Sequence, residues 1–194
     1  MWCHMKEKNK FYRKFIPNQC ANTIFDIDFD QLYENGKRYI LTDVDNTLIS
    51  YQESLPDEQT LTLRKQLASK GFFVYVISNN NGKRIAEFAL AFDALGYVSW
   101  AHKPLKRGFK KSLKQMGKPD LSKVIAIGDQ LMTDVFGANR MGIDVILVRP
   151  IKLKTEKWVT KLNRKMENKV LSKIKELDED AYAKIINLKE TTNG

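Results

Sequence analysis

The chain has 194 residues and carries 33 lysines and arginines against 23 aspartates and glutamates, which gives a formal net charge of +10. Its 10 glycines and 5 prolines exclude a collagen, a mucin or another low-complexity chain, and no apolar run approaches the roughly 20 residues of a transmembrane helix. The length suits one domain with extensions, and the charge favours an anionic partner: nucleic acid, an acidic membrane surface or a phosphorylated substrate.

Apolar runs alternate with amphipathic stretches through the middle of the chain. Short runs rich in β-branched and aromatic residues predict strands over 39–42, 72–77, 97–101, 124–127 and 144–148. Apolar residues at helical spacing predict helices over 57–69, 83–95, 106–116 and 135–140. This alternation predicts an α/β fold, a parallel sheet flanked by helices, whose ligands bind at the carboxyl ends of the strands.

Two segments flank this core, which we place at residues 39–150. Residues 1–38 form an N-terminal extension that begins with a basic-aromatic stretch, Lys8 to Ile16. Residues 151–194 form a basic helical extension, and we expect its last residues to be disordered. Aromatic and basic side chains mixed in this way suit the surface of an anionic membrane, and packing against the core is the alternative.

Two carboxylates, Asp43 and Asp45, come directly after the first predicted strand. At this spacing both can project into one crevice, where one acts as a nucleophile and the other as a general acid and base. The pair also suits Mg²⁺, which prefers oxygen ligands. Taken alone, the stretch Asp43 to Thr47 also fits a polar turn that caps a helix.

Polar residues follow the next strands as well. Ser78 and Asn79 end the second strand and offer a hydroxyl and backbone amides to a phosphoryl oxygen. Lys103 follows the third strand and supplies a cation, and Asp129 and Asp134 follow the fourth. A hydroxyl, a cation and carboxylates at successive strand ends are what phosphoryl transfer requires, because that reaction depends on positioning and charge stabilisation.

These residues resemble the four motifs of the haloacid dehalogenase (HAD) superfamily of phosphatases. The motifs are matched in order by Asp43-x-Asp45-x-Thr47, Ser78, Lys103 and Gly128-Asp129-x4-Asp134. Further segments resemble the YqeG branch of subfamily IIIA, whose eukaryotic relatives are mitochondrial phosphatidylglycerophosphate phosphatases: Ser78-Asn79-Asn80, Lys103-Pro104, Asn139-Arg140-x-Gly142 and Val148-Arg-Pro-Ile151. The resemblance implies a Rossmann-like HAD core.

The resemblance also implies a role for each matching residue. Asp43 would attack phosphorus and form an aspartyl-phosphate, and Asp45 would protonate the leaving oxygen and then activate water. The substrate would be bound by Thr47, Ser78, Asn79 and Lys103.

The metal site follows from the same resemblance. Mg²⁺ would be held by Asp43, by the backbone carbonyl of Asp45 and by Asp129. Asp134 would support the site by orienting Lys103 or a metal-bound water.

The distance between the motifs bears on the substrate. Asp45 and Ser78 are 33 residues apart, and Ser78 and Lys103 are 25 apart, each interval filled by one helix and one strand. The spacing therefore predicts a capless enzyme, whose open site suits a phosphate on a bulky molecule such as a lipid headgroup, a protein or a nucleic acid.

We predict a Mg²⁺-dependent phosphomonoester hydrolase that converts phosphatidylglycerophosphate to phosphatidylglycerol at a membrane surface. One alternative is a phosphatase that acts on a soluble nucleotide or sugar phosphate. The other is a nucleic-acid- or ribosome-associated protein that uses the HAD core as a scaffold, although no RNA-binding motif with interleaved aromatics is visible. The oligomeric state stays open.

The cysteine content and the N-terminus bear on the location of the protein in the cell. The two cysteines cannot form a disulfide framework and no secretory signal is visible, so we predict a cytoplasmic protein, with contact at the inner face of the membrane as an open possibility. The spaced carboxylates of Asp26 to Asp30 are predicted to lie on a solvated strand or turn, and Trp100 and Trp158 are predicted to be packing residues.

Overall fold

The structure, a computed structural model, describes residues 9–152 and 159–190; the predicted disordered end at 191–194 and Trp158 lie outside these ranges. Six parallel strands form one sheet in the order β1-β6-β5-β2-β3-β4. The strands are β1 (Gln19–Ala21), β2 (Tyr39–Thr42), β3 (Phe73–Ile77), β4 (Gly96–Val98), β5 (Val124–Gly128) and β6 (Asp144–Val148). Because β2 lies between β5 and β3, its carboxyl end is at the middle of one sheet edge.

Helices cover both faces of this sheet. The helices are α1 (9–13), α2 (Phe29–Glu34), α3 (Glu58–Ser69), α4 (Gly82–Ala91), α5 (Lys106–Gln115), α6 (Phe136–Met141), α7 (Val159–Leu177) and α8 (Glu179–Glu190). Short 3-10 turns span Ile24–Asp26 and Leu121–Lys123, and a π-helical turn, Leu131–Val135, leads into α6. Among the described residues, none of the helices is both long and apolar enough to cross a bilayer.

The alternation of side chains along each strand produces two apolar cores. In β2, Leu41 faces a core built from α5, α6, α7 and α8, whereas Ile40 faces a second core built from α2, α3 and α4. Both side chains are fully buried, as expected for a parallel sheet that is covered on both faces. The predicted parallel α/β fold is therefore confirmed.

The predicted elements differ from the structure mainly at their ends. The strands at Tyr39–Thr42 and Asp144–Val148 begin and end where they were predicted, whereas the strand predicted over 97–101 is only Gly96–Val98. The edge strand Gln19–Ala21 was not predicted, because three residues are too few to show a period.

Parts of both flanking segments pack against the core. The ring of Phe15 stacks on Phe136 of α6, with their centroids 4.1 Å apart, and β1 pairs with β6 at one edge of the sheet. Ile174 of α7 and Ile185 of α8 are fully buried in the same core.

The weaker predictions have different outcomes. Asp26 and Asp28 are exposed and lie at turns rather than on a strand, which agrees with one of the two predicted forms: the Asp26 carboxylate completes a capping box with Thr23, and Asp28 caps α2 by accepting from the Gln31 amide. Trp100 is not a packing residue, since 59% of its surface is exposed.

Candidate active site

A tight turn at the end of β2 brings the first two predicted site residues together. The Asp43 amide donates to the Ile127 carbonyl at 2.9 Å, which extends the pairing of β2 with β5 by one residue. Asn46 then adopts a positive φ of 63°, and its amide donates to the Ile49 carbonyl at 2.7 Å. The turn leaves Asp43 and Asp45 buried, with 4% and 7% of their surfaces exposed.

The Lys103 side chain lies between two carboxylates. Its Nζ atom is 2.7 Å from Asp43 Oδ1, 2.7 Å from Asp134 Oδ1 and 3.1 Å from the carbonyl oxygen of Ile77. An ammonium group has three donors, so each of them has an acceptor here. These contacts fix Nζ beside Asp43.

Asn79 holds the backbone that carries this lysine. The Lys103 amide donates to Asn79 Oδ1 at 2.6 Å, and Asn79 Nδ2 donates back to the Lys103 carbonyl at 3.1 Å. The Asn79 side chain is therefore used in positioning Lys103, while its place as a substrate-binding residue stays a prediction.

Asp134 reaches Lys103 because the residue at the end of β5 is a glycine. A Cβ atom on Gly128 would lie 2.4 Å from Asp134 Cγ, which no side chain can tolerate. The second oxygen of Asp134 accepts from the Gln130 amide at 3.1 Å. Both of its oxygens thus have partners, an arrangement that suits the predicted role of orienting Lys103.

Asp45 has two neighbours from the segment after β3. Asn80 Nδ2 donates to Asp45 Oδ2 at 3.2 Å, and Arg84 Nη2 lies 2.8 Å from Asp45 Oδ1. Neither residue has a predicted role. Asn80 stands in the quoted Ser-Asn-Asn run, but nothing in the sequence distinguishes Arg84 from any other arginine in the first turn of a helix.

A cavity of about 240 Å³ opens at this edge of the sheet. Its lining is Asp43, Asp45, Ser78, Asn79, Asn80, Lys103, Gln130 and Thr133. Ser78 Oγ accepts from the Asn80 amide at 3.0 Å, so its proton is left to donate to a phosphoryl oxygen.

Thr47 differs from the other predicted site residues. Its side chain is 2% exposed and is not part of the cavity lining. Its hydroxyl oxygen has no hydrogen-bond partner among the described residues. Binding of substrate by Thr47 stays a prediction.

Comparison with known proteins identifies the family. A family model described as haloacid dehalogenase-like hydrolase matches residues 4–142. The chain belongs to the haloacid dehalogenase-like hydrolase family. It is also 33% identical over 165 residues to "Probable phosphatase YqeG" of Bacillus subtilis (strain 168), an alignment that covers 83% of this chain and 92% of that protein. These matches confirm the predicted YqeG-like HAD phosphatase.

Solved structures with low identity also match this HAD-like hydrolase. An uncharacterized protein from Listeria monocytogenes serotype 4b matches 62% of this chain and 84% of its own, with a TM-score of 0.49 and 16% identity. The cobalt-bound deoxy-D-mannose-octulosonate 8-phosphate phosphatase of Haemophilus influenzae matches 72% of this chain and 90% of its own, with a TM-score of 0.43 and 14% identity.

A divalent metal ion fits the acidic cluster of this HAD-like hydrolase. Carboxylate oxygens of Asp43, Asp129 and Asp134 all lie within 4.8 Å of one another. Asp129 Oδ1 is buried and has no hydrogen-bond partner in the described part of the chain. Such a buried oxygen needs a cation or a proton, and hard oxygen ligands suit a divalent ion of the Mg²⁺ type.

The pKa values in the cluster reflect burial and crowding of like charges. Burial raises the pKa of Asp43 to about 6; the Lys103 ammonium opposes this rise, while Asp134 and Asp45 add to it. Burial, followed by Asp43 and Asp134, raises the pKa of Asp129 well above its usual range. Burial alone would lower the pKa of Lys103, but Asp134 and Asp43 outweigh it and the net pKa is raised. The site therefore holds a permanent cation beside carboxylates that readily accept a further positive charge.

Proposed function

We propose that this HAD phosphatase is a Mg²⁺-dependent phosphomonoester hydrolase that acts through an aspartyl-phosphate on Asp43. The observation that carries the proposal is the arrangement of three side chains: Asp43 and Asp45 at one turn, with Lys103 Nζ 2.7 Å from Asp43. A nucleophile, a second carboxylate and a fixed cation around one cavity are the groups that this reaction needs.

In the first step an Asp43 carboxylate oxygen attacks phosphorus, and the bond between phosphorus and the leaving oxygen breaks. Asp45 gives its proton to that oxygen, so the alcohol departs neutral. Ser78 donates its hydroxyl proton to a non-bridging oxygen of the phosphoryl group in the cavity, and the fixed charge of the Lys103 ammonium stabilises the negative charge on these oxygens. Because Lys103 is held between two carboxylates, its charge is already in position before the substrate binds.

In the second step water attacks the phosphorus of the aspartyl-phosphate. Asp45, now ionised, takes the proton from this water, and the bond between phosphorus and the Asp43 oxygen breaks. Inorganic phosphate leaves, and both aspartates return to their starting states. A bound divalent ion supplies charge neutralisation for the phosphoryl oxygens, and the residues that would hold it are Asp43, Asp129 and the backbone carbonyl of Asp45.

We propose phosphatidylglycerophosphate as the substrate, hydrolysed to phosphatidylglycerol at an anionic membrane surface. Three features support this choice: the resemblance to the YqeG branch, the net charge of +10, and intervals between motifs that leave no room for a cap. A site without a cap accepts a monoester that projects from a large assembly.

The test is phosphate release with and without Mg²⁺, from phosphatidylglycerophosphate in mixed micelles and from soluble nucleotide and sugar phosphates. The wild type is compared with Asp43→Asn, which removes the nucleophile and nearly preserves its shape. We expect faster turnover of the lipid and a loss of about 1,000-fold or more in the variant. Turnover of soluble esters alone would overturn the lipid substrate, and an active Asp43→Asn enzyme would overturn the aspartyl-phosphate.

A further inference from the structure

A second cavity, of about 460 Å³, is formed between α1, α5 and α6. It is lined by three cationic and two aromatic side chains, Phe11, Lys14, Lys106, Phe136 and Arg140, and by no carboxylate. We call this cavity the basic cleft. A lining that combines cations with aromatic rings suits a ligand with both a negative charge and an apolar part.

The charges around the basic cleft lack partners of opposite sign. Helix α5 carries five exposed basic residues and no acidic one: Lys106, Arg107, Lys110, Lys111 and Lys114. In the described ranges 9–152 and 159–190, no carboxylate forms an ion pair with a basic residue of α5, with Lys14 or with Arg140. This face therefore attracts anions, and a polyanionic surface is a better match than a single ion.

Contacts within the protein hold two of the cleft's cations in place. Lys14 Nζ donates to the Asn139 carbonyl at 3.4 Å, and Arg140 Nη1 donates to the Pro104 carbonyl at 3.2 Å. These are single contacts to neutral acceptors, so most of the donors on both side chains are left for an anion. Both positive charges are thus placed without being neutralised.

The apolar part of the basic cleft argues for lipid rather than nucleic acid. The ring of Phe136 already stacks on Phe15 and has the Arg140 guanidinium 5.3 Å from its centroid, so its faces are taken by contacts within the protein. Phe11 and Leu105 instead expose 48% and 56% of their surfaces beside the cations. Exposed apolar side chains among basic ones are typical of segments that lie at the interface of an anionic bilayer.

The cleft is connected to the active site through one short segment. Lys106 begins α5 only three residues after Lys103, whose Nζ contacts Asp43. Arg140 donates to Pro104, the residue directly after Lys103. Residues 103–106 therefore link the active site to a phosphodiester bound in the cleft.

We propose that the basic cleft binds the phosphodiester headgroup of an anionic phospholipid and docks this face of the enzyme on the bilayer. This inference rests on the proposed function, since it gives a lipid substrate a second point of attachment. Lys14, Lys106 and Arg140 bind phosphate oxygens, while Phe11 and Leu105 enter the apolar boundary of the membrane. The membrane then presents its phosphomonoesters directly to the neighbouring cavity.

Vesicle binding tests the cleft without any turnover. The probe is co-sedimentation with phosphatidylcholine vesicles that contain or lack phosphatidylglycerol, using Asp43→Asn as the parent protein. The cleft variant is Lys14→Gln/Lys106→Gln/Arg140→Gln. Its matched control, Lys65→Gln/Lys123→Gln/Lys169→Gln, loses the same charge from exposed positions outside the cleft. We expect roughly 100-fold weaker binding to the anionic vesicles for the cleft variant and little change for the control.

Two further variants separate a loss of binding from a loss of folding. Lys106→Gln alone changes an exposed side chain, so a weaker but measurable loss is expected even if the triple variant does not fold. Leu105→Ser keeps the charge and removes an exposed apolar side chain at the start of α5, and it should weaken vesicle binding by several-fold while leaving the melting temperature near that of the parent. If the cleft variant and the control variant lost vesicle binding equally, the cleft proposal would be overturned, and binding would be explained by the net charge of the protein.

The proposal would also be overturned if the protein bound single-stranded RNA more tightly than anionic vesicles and the cleft variant abolished this RNA binding.

Failure of the proposed function is a separate result. If cleft-dependent vesicle binding is seen but the wild type does not hydrolyse phosphatidylglycerophosphate, the substrate is wrong and the cleft stands. If the lipid is hydrolysed but the cleft variant binds vesicles normally, the cleft is wrong and the substrate stands.

Discussion

Arg84 Nη2 lies 2.8 Å from Asp45 Oδ1, although the two residues are 39 positions apart in the sequence. The same nitrogen donates to the Glu53 carbonyl at 2.5 Å, so Arg84 joins the turn after β2 to the start of α4. In the proposed mechanism Asp45 must deliver a proton and later remove one. We therefore expect Arg84 to act as a positioning residue for Asp45.

We predict that Arg84→Gln lowers kcat by about 10- to 100-fold and that Arg84→Lys recovers part of the loss. The loss should be larger for alkyl phosphates than for p-nitrophenyl phosphate, because the nitrophenolate departs without needing a proton. Steady-state kinetics on both esters measure this difference. Lys83→Gln, which removes the neighbouring exposed cation, is the control. An equal loss on the two esters would mean that Arg84 acts on something other than the proton transfer.

Lys103 supports both the fold and the chemistry, because it separates two buried carboxylates. We predict that Lys103→Gln lowers the free energy of unfolding by about 3–5 kcal/mol in the absence of metal, since Asp43 and Asp134 then face each other without a cation. Urea unfolding in EDTA measures the change. Phosphatase activity should also be lost.

Lys37→Gln separates these two effects. Lys37 is another buried lysine, paired with Asp144 at 2.5 Å, but it is not part of the active-site cavity. Its replacement should destabilise the protein and leave kcat near the wild-type value. If Lys103→Gln behaves in the same way, Lys103 is a structural residue only.

Gly128 is predicted to be irreplaceable even by alanine. A Cβ atom there would displace Asp134, which lies 2.4 Å away, and would move the carboxylate that holds Lys103. We expect Gly128→Ala to lower kcat by at least about tenfold and to lower the melting temperature. Gly82→Ala is the matched control, since its Cβ would meet nothing closer than 3.5 Å. Normal activity in Gly128→Ala would show that catalysis does not depend on the position of the Asp134 carboxylate.

The sequence predicted the positions of the central strands and the residues that follow them, and the reason is physical. A buried parallel strand such as Val124–Gly128 must be a continuous apolar run, and the polar residues directly after it must lie at the sheet edge. Contacts that depend on tertiary packing could not be read in this way. The pairing of Arg84 with Asp45 and the stacking of Phe15 on Phe136 join segments whose sequences show no sign of each other.

The last prediction concerns the acidic cluster and its metal ion. Added Mg²⁺ should raise the melting temperature of the metal-free protein, because a cation stabilises the crowded carboxylates of Asp43 and Asp129. Only the ionised carboxylates bind the metal, and burial raises the pKa of Asp43 to about 6 and that of Asp129 well above its usual range. Protons therefore compete with the metal, and the rise should be larger at pH 7.5 than at pH 5.5.

Without metal, the stability of the fold should fall, not rise, as the pH increases. Because the pKa of Asp43 is raised from 3.8 to about 6 in the folded state, its protonation stabilises the fold, and this contribution is lost as the pH rises through 6. In EDTA the melting temperature of the wild type should thus fall between pH 5.5 and 7.5 more than that of Asp43→Asn. Asp129→Asn should lose most of the stabilisation by Mg²⁺. If Mg²⁺ raised the melting temperature of the wild type equally at pH 5.5 and pH 7.5, binding at these carboxylates would be contradicted.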